Sequence, residues 1–178
     1  KWRYGTFDHG MFRFVILDTN DVSTYACADG SMEQASAANE LARLAAAKVP
    51  QAKPWNGGIG RDQLEWLGRV LAETAASQRK AIVLAHQPVW PIGHHLVWNA
   101  ADVLAVVDGH PGVVAAWING HNHVGAFAER NGVPYLTMRG MVETPDTSAF
   151  ATAEILADRI LITGHGREPS RELVFAKA

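Results

Sequence analysis

Two short apolar segments, each of which leads into histidine, place the strongest limits on how this chain can fold. Residues 81–85 are apolar and are followed by His86, and residues 113–118 lead to His121 and His123. Apolar segments of this length, bounded by turn-forming residues, are typical of buried strands. Since the carboxyl ends of neighbouring parallel strands meet at one edge of an open α/β sheet, the sequence predicts that the three histidines converge there.

The segments before His121 and His123 alternate between strand and helix. A strand is predicted over residues 12–17, and helices are predicted over residues 31–48, 61–80 and 100–108. The middle helix is the clearest, because Leu64, Leu67 and Leu71 fall on one of its faces. Ser31 and Asn99 precede the first and last helices and are suited to cap them.

After His123 the pattern changes to strands alone. Residues 124–129 and 134–138 form a predicted hairpin around an Asn-Gly turn, and residues 149–156 and 159–163 form a second one. A parallel beginning and an antiparallel end predict an α/β fold with mixed sheets in a layered sandwich.

The overall composition limits the classes of function. The chain has 178 residues, which suits one domain, and a formal net charge of -2, which excludes the basic surface of a nucleic-acid-binding protein. No apolar run approaches the roughly 20 residues that cross a membrane. The single cysteine, Cys27, excludes an internal disulfide and favours a reducing, cytoplasmic compartment. The chain opens at Lys1 without methionine, so we expect any targeting signal to lie upstream.

Several metal sites contain His-x-His, and the neighbouring residues decide among them. A metallo-β-lactamase site needs an acid two residues after the second histidine, and Gly125 stands there instead. An amidohydrolase barrel needs about 250 residues. A mononuclear zinc site with three histidines remains open. A two-metal phosphoesterase also remains open, although it needs carboxylates to offset the charge of two divalent ions. Asp18 and Asp21 are more typical of a turn than of such a site.

A set of motifs adds a family resemblance. His-Gln-Pro at residues 86–88, Gly-His-Asn-His at residues 120–123 and the strand-rich tail resemble the C-terminal half of the calcineurin-like metallophosphoesterases. Trp-Asn-Gly-Gly at residues 55–58, Val-Glu-Thr-Pro at 142–145 and Gly-His-Gly-Arg at 164–167 narrow the resemblance to the manganese-dependent ADP-ribose/CDP-alcohol diphosphatases.

This resemblance implies a metal centre and a substrate. His86 and His121 would bind the second of two divalent ions, and His123 would bind the first, with manganese expected and iron or zinc as alternatives. A metal-bridging hydroxide would hydrolyse the diphosphate of ADP-ribose, a CDP-alcohol or a related small nucleotide. The residues implied to line the substrate pocket are Trp55, Asn56, Trp98, Phe127 and Glu143. The alternatives are another phosphodiesterase of this fold, such as a cyclic-nucleotide phosphodiesterase, and a catalytically incomplete metal-binding subunit.

Three motifs of the family do not occur in this sequence. The Asp-x-His, Gly-Asp and Gly-Asn-His motifs, which supply carboxylates and the general acid, precede the strand that matches residues 12–17. We therefore expect the catalytic acids upstream of Lys1 and interpret residues 1–178 as the C-terminal half of one metallophosphoesterase domain. The expected partners are a small-molecule substrate and a missing N-terminal segment or second chain, with neither nucleic acid nor membrane.

Overall fold

The computed structural model describes residues 3–175, which contain three helices and nine strands. The helices are α1 (Met32–Ala46), α2 (Arg61–Ala76) and α3 (Ala100–Asp108). The strands are β1 (Gly5–His9), β2 (Phe12–Ile16), β3 (Lys80–Ala85), β4 (Val114–Asn119), β5 (Ala126–Arg130), β6 (Val133–Thr137), β7 (Ala149–Ile155), β8 (Arg159–Gly166) and β9 (Arg171–Val174). Among these residues no helix is both long and apolar enough to cross a bilayer.

The strands form two sheets. The larger has six strands in the order β1-β2-β3-β4-β6-β5, and the smaller has three in the order β7-β8-β9. The four central strands of the larger sheet are parallel, while β1 and β5 pair antiparallel at its edges. The smaller sheet is antiparallel throughout. The predicted α/β fold with mixed sheets is confirmed.

The large sheet is the middle layer of a sandwich. Successive side chains of a strand point to opposite faces, and β4 shows this alternation. Trp117 is fully buried in a cluster that includes Leu67 and Leu71 of α2, whereas Ala116 belongs to a cluster with Ile160 of the small sheet. Helices α2 and α3 therefore cover one face, and the small sheet covers the other.

The start of α1 agrees with its prediction, whereas the start of α3 and the end of α2 differ from theirs. The Oγ atom of Ser31 accepts a hydrogen bond from the amide of Gln34, which confirms the predicted cap of α1. Asn99 makes no capping hydrogen bond, so that prediction is wrong; its amide instead pairs with the main chain of Ile59. Helix α2 ends at Ala76 rather than at residue 80, because the chain turns out of the helix through a positive φ of 54° at Gln78.

The sequence did not predict strands β1 and β9. Strand β1 lies at an edge, where four of its five residues are exposed, and it pairs with β2 through the backbone, an ion pair between Asp8 and Arg13, and a stack of Phe7 on Phe14. Two apolar side chains are exposed at this edge, Phe7 by 50% and Ile16 by 43%. Part of the apolar surface of the large sheet is therefore exposed at the β1–β2 edge.

Candidate metal centre

His86 and His121 meet where two parallel strands end. His86 directly follows β3, and His121 lies two residues beyond β4, the neighbour of β3 in the sheet. The Nε2 atom of His86 lies 3.1 Å from the Nδ1 atom of His121. The amide of Gly120 donates to the carbonyl of His86 over 3.0 Å and so links the two loops. The structure thus brings these two predicted ligands together.

Asn56 fixes which nitrogen of His121 faces His86. The side-chain Nδ2 of Asn56 donates to the carbonyls of Gln51 and His94 over 2.9 and 2.7 Å, so its Oδ1 must be the atom 2.8 Å from His121 Nε2. An amide oxygen only accepts, so His121 Nε2 carries the proton. The lone pair of His121 is therefore on Nδ1, the nitrogen that faces His86.

Burial keeps this pair of histidines uncharged. It lowers the pKa of His121 to about 4, with further contributions from the neighbouring imidazoles of His86, His95 and His123. Burial, followed by the charge of His123, also lowers the pKa of His86. Both side chains are neutral at pH 7 and keep lone pairs, which is the state in which imidazole binds a metal ion.

His123 is oriented by a different loop. Its Nδ1 donates to the carboxylate of Glu143, and its carbonyl accepts a hydrogen bond from the amide of Gly140 over 3.0 Å. A carboxylate only accepts, so the lone pair of His123 lies on Nε2. A second hydrogen bond of this kind orients most metal-binding histidines in proteins. A side chain at residue 140 would crowd this contact, since a Cβ on Gly140 would lie 2.5 Å from Cγ of His123.

An open cleft of about 480 Å³ lies beside the histidines. Its lining comprises Trp55, His95, His121, Asn122, His123 and Val124. The side chain of Trp55 forms an apolar wall and is 50% exposed. The cleft therefore combines imidazole nitrogens with one large aromatic surface.

The other predicted pocket residues fall into three groups. Trp55 and Glu143 lie at the cleft or contact a histidine of it. Asn56 and Trp98 are 0% and 3% exposed, and the indole of Trp98 donates to the carbonyl of Lys53. Phe127 contacts the guanidinium of Arg171 on the small sheet, 5.6 Å from its ring centroid. Protein atoms thus surround Asn56 and Trp98, and Phe127 lies outside the lining of this cleft; the substrate contacts of all three stay predictions.

Three residues near the centre were not assigned a role from the sequence. Gln87 is fully buried, and its amide bonds Asn20 and the main chain of Gly57. Tyr25 contacts the same network through its hydroxyl. The ring of His95 lies 5.5 Å from that of His121, and its Nδ1 is buried with no partner within residues 3–175. The position of Gln87, directly after a strand-end histidine, was the one available signal in the sequence.

The donor set suits part of a metal centre. Imidazole nitrogens suit iron and zinc, and carboxylate oxygens suit manganese. Within residues 3–175, however, no three histidine, cysteine or acidic side chains form a group that would hold a metal ion. The acids that follow β2 are used locally: Asp18 accepts from the amide of Asn20, and Asp21 accepts from Gly60 and Gln63. The centre therefore needs carboxylates in addition to those described here.

Comparisons with known proteins agree with this geometry. No protein-family model matches the sequence. The chain is 32% identical over 180 residues to a manganese-dependent ADP-ribose/CDP-alcohol diphosphatase of Homo sapiens, covering 93% of this chain and 52% of that protein. The protein of the same name from Danio rerio is 32% identical over 173 residues, covering 88% of this chain and 53% of that protein. The crystal structure of a dimetal phosphatase from Danio rerio superposes with a TM-score of 0.89 at 29% identity, covering 97% of this chain and 60% of the other. The chain thus spans about half the length of the curated relatives that it matches.

Proposed function

Because this chain has the metallophosphoesterase fold and is related along nearly its whole length to the manganese-dependent ADP-ribose/CDP-alcohol diphosphatases, we propose that it carries the histidine ligands of a two-metal phosphohydrolase. The proposed substrates are ADP-ribose, CDP-alcohols and related nucleotides. The proposed reaction is hydrolysis of their diphosphate bond, and the proposed compartment is the cytoplasm. One observation carries the proposal: His121 Nδ1 and His86 Nε2 face each other at 3.1 Å with the tautomer of His121 fixed.

Each histidine has a distinct proposed role. His86 and His121 would hold one divalent ion and His123 the other, with manganese preferred. Two such ions offset the negative charge of a diphosphate and lower the pKa of the attacking water. Because the protein itself orients the imidazoles of His121 and His123, through Asn56 and Glu143, little ordering is needed when metal binds.

The carboxylates are proposed to come from outside this sequence. Three neutral histidines do not balance two divalent ions, and the acids next to β2 already accept hydrogen bonds within this chain. The curated relatives are about twice as long as the matched region. We propose that residues 1–178 form one half of a metallophosphoesterase domain and that an N-terminal segment or a second chain contributes the acids and the general acid.

A second candidate is a metal-binding subunit without turnover of its own. It is favoured by the observation that no complete group of metal-binding side chains occurs within residues 3–175. The two candidates make the same prediction for metal binding and opposite predictions for hydrolysis once the N-terminal segment or second chain is present. Both therefore have to be measured on the same preparation.

Calorimetric titration with Mn²⁺ is the first test. His121→Ala and His123→Ala should each weaken Mn²⁺ binding more than about tenfold, because each removes a ligand nitrogen. His9→Ala, on the exposed strand β1, is the control and should bind as the unaltered chain does. Equal Mn²⁺ affinity in all four proteins would contradict the ligand assignment.

Assays that separate and quantify the AMP or CMP formed from ADP-ribose, CDP-choline and cyclic AMP then address the reaction. Diphosphate hydrolysis that is lost in His123→Ala supports the diphosphatase. Preferential cleavage of cyclic AMP would identify another phosphodiesterase of this fold. Mn²⁺ binding without any hydrolysis, measured with the N-terminal segment or second chain present, would leave the metal-binding subunit as the function of this chain.

A further inference from the structure

Trp55 is the one large aromatic side chain in the lining of the histidine cleft. It is 50% exposed, although a tryptophan side chain gains free energy when its apolar surface leaves water. Its neighbour in the chain, Asn56, is fully buried and bonded to His121. The main chain of Trp55 is therefore joined to the candidate metal centre through Asn56, while the indole side chain stays half exposed.

A hydrogen-bond network fixes the main chain on both sides of Asn56. The hydroxyl of Tyr25 lies 3.2 Å from the carbonyl oxygen of Trp55 and 2.7 Å from Oδ1 of Asn20, so both are within reach of its single proton. The buried amide of Gln87 accepts from the Gly57 amide over 3.0 Å and donates to Asn20 over 2.9 Å. The position of the Trp55 main chain relative to the histidines is thus determined by the fold before any ligand binds.

Gln87 closes this network. Its Nε2 also donates to the hydroxyl of Tyr25, over 3.3 Å, so one buried amide contacts both the tyrosine and the loop of the tryptophan. Tyr25 is itself 49% exposed, and burial of the remainder raises the pKa of its hydroxyl, which therefore keeps its proton at neutral pH. A polar network of this kind, next to a metal centre, orders a surface that a ligand is to contact.

We propose that Trp55 stacks on the base of a nucleoside 5′-phosphate whose phosphate lies at the histidines, and that Tyr25 is the residue that positions Trp55. This inference rests on the proposed function and specifies its substrate class. A nucleotide separates its flat base from its phosphate by one ribose, and the cleft offers an aromatic wall and metal-binding nitrogens in one cavity. Stacking on an aromatic ring tolerates adenine and cytosine alike, because every base has a π face.

Calorimetric titrations in excess Mn²⁺ compare AMP and CMP with ribose 5-phosphate, which lacks a base. We expect AMP and CMP to bind about tenfold more tightly than ribose 5-phosphate, in line with the usual contribution of one stacked base. Trp55→Leu, which keeps an apolar side chain without a π face, should remove this difference and leave ribose 5-phosphate binding unchanged. Trp55→Phe should retain most of it.

Tyr25→Phe tests the positioning role. It removes the hydroxyl but keeps the ring, so the ratio of AMP to ribose 5-phosphate affinity should fall to an intermediate value while the melting temperature changes little. Phe7→Ala is the matched control, since Phe7 is also 50% exposed but stacks on Phe14 at the sheet edge. It should leave the ratio unchanged.

The outcomes separate this inference from the proposed function. Equal AMP affinity in the unaltered chain and in Trp55→Leu overturns the base site, even if Mn²⁺ binds as proposed. The absence of AMP and CMP binding in Mn²⁺ overturns it as well. Tryptophan-dependent AMP binding in a chain that binds no Mn²⁺ would support the base site and contradict the proposed function.

Discussion

The guanidinium of Arg167 donates from Nη2 to the carbonyl of Gly140 over 2.6 Å. Its Nε donates to the carbonyl of Thr147 over 3.2 Å, so one side chain joins both ends of the loop that carries Glu143. The amide of Gly140 bonds the carbonyl of His123, and Glu143 bonds its ring. Arg167, directly after β8 of the small sheet, thus positions the loop that orients His123, a candidate metal ligand beyond β4 of the large sheet.

Arg167→Ala should therefore weaken Mn²⁺ binding by several-fold, because the loop that positions Glu143 and His123 loses both of its guanidinium contacts. Arg167→Lys should recover little, since an ammonium group cannot make two contacts in the fixed geometry of a guanidinium. Calorimetry provides the affinity. In a Glu143→Gln background Arg167→Ala should cause little further loss, as expected for residues that act through one contact. Full additivity of the two losses would show that Arg167 acts elsewhere.

Two substitutions of Asn56 should differ in their effect on metal affinity, although both remove the donors to Gln51 and His94 and so lower stability. Asn56→Ala removes the acceptor for His121 Nε2 and should lower Mn²⁺ affinity about 10- to 100-fold, as is typical when the partner of a metal-binding histidine is lost. Asn56→Asp keeps an oxygen for His121 but loses the donors to Gln51 and His94, so it should retain more metal affinity and unfold at a lower temperature. Comparable metal affinities in the two variants would argue against the tautomer assigned to His121.

The meeting of His86 and His121 was predictable from sequence because each histidine follows its own apolar strand, and parallel neighbours end at one edge. The partners that orient these histidines were not predictable from the residue pattern. Asn56 reaches His121 across 65 residues of chain through an irregular loop, where neither period nor propensity indicates a contact. Strand β1 was missed for a related reason, since its exposed residues show no buried face. The substrate contact of Phe127 was predicted by resemblance alone and stays a prediction; its ring contacts Arg171.

Gly140→Ala should reduce both stability and Mn²⁺ affinity. The added methyl group would lie 2.5 Å from Cγ and 2.7 Å from Cβ of His123, and forced overpacking of this kind costs about 1–3 kcal/mol. Gly5→Ala is the matched control, because a Cβ there meets no atom within 4 Å. Urea unfolding and metal titration of both variants provide the measurement. A Gly140→Ala protein with the stability and affinity of Gly5→Ala would mean that the loop moves without displacing His123.

Acid should weaken the contact that joins α3 to the β5–β6 turn. Burial alone would raise the pKa of Asp108, but hydrogen bonds from Asn131 and Arg130 outweigh it and lower the pKa below its ordinary value. A lowered carboxyl pKa in the folded state stabilises the protein above the unfolded pKa of about 3.9, and the stabilisation is lost as the pH falls through the folded value. Asp108→Asn should therefore be less stable than the unaltered chain at pH 7, with the difference shrinking towards pH 3. Urea unfolding at both pH values measures it. A stability difference that stays constant between pH 7 and pH 3 would show that the charge of Asp108 contributes nothing.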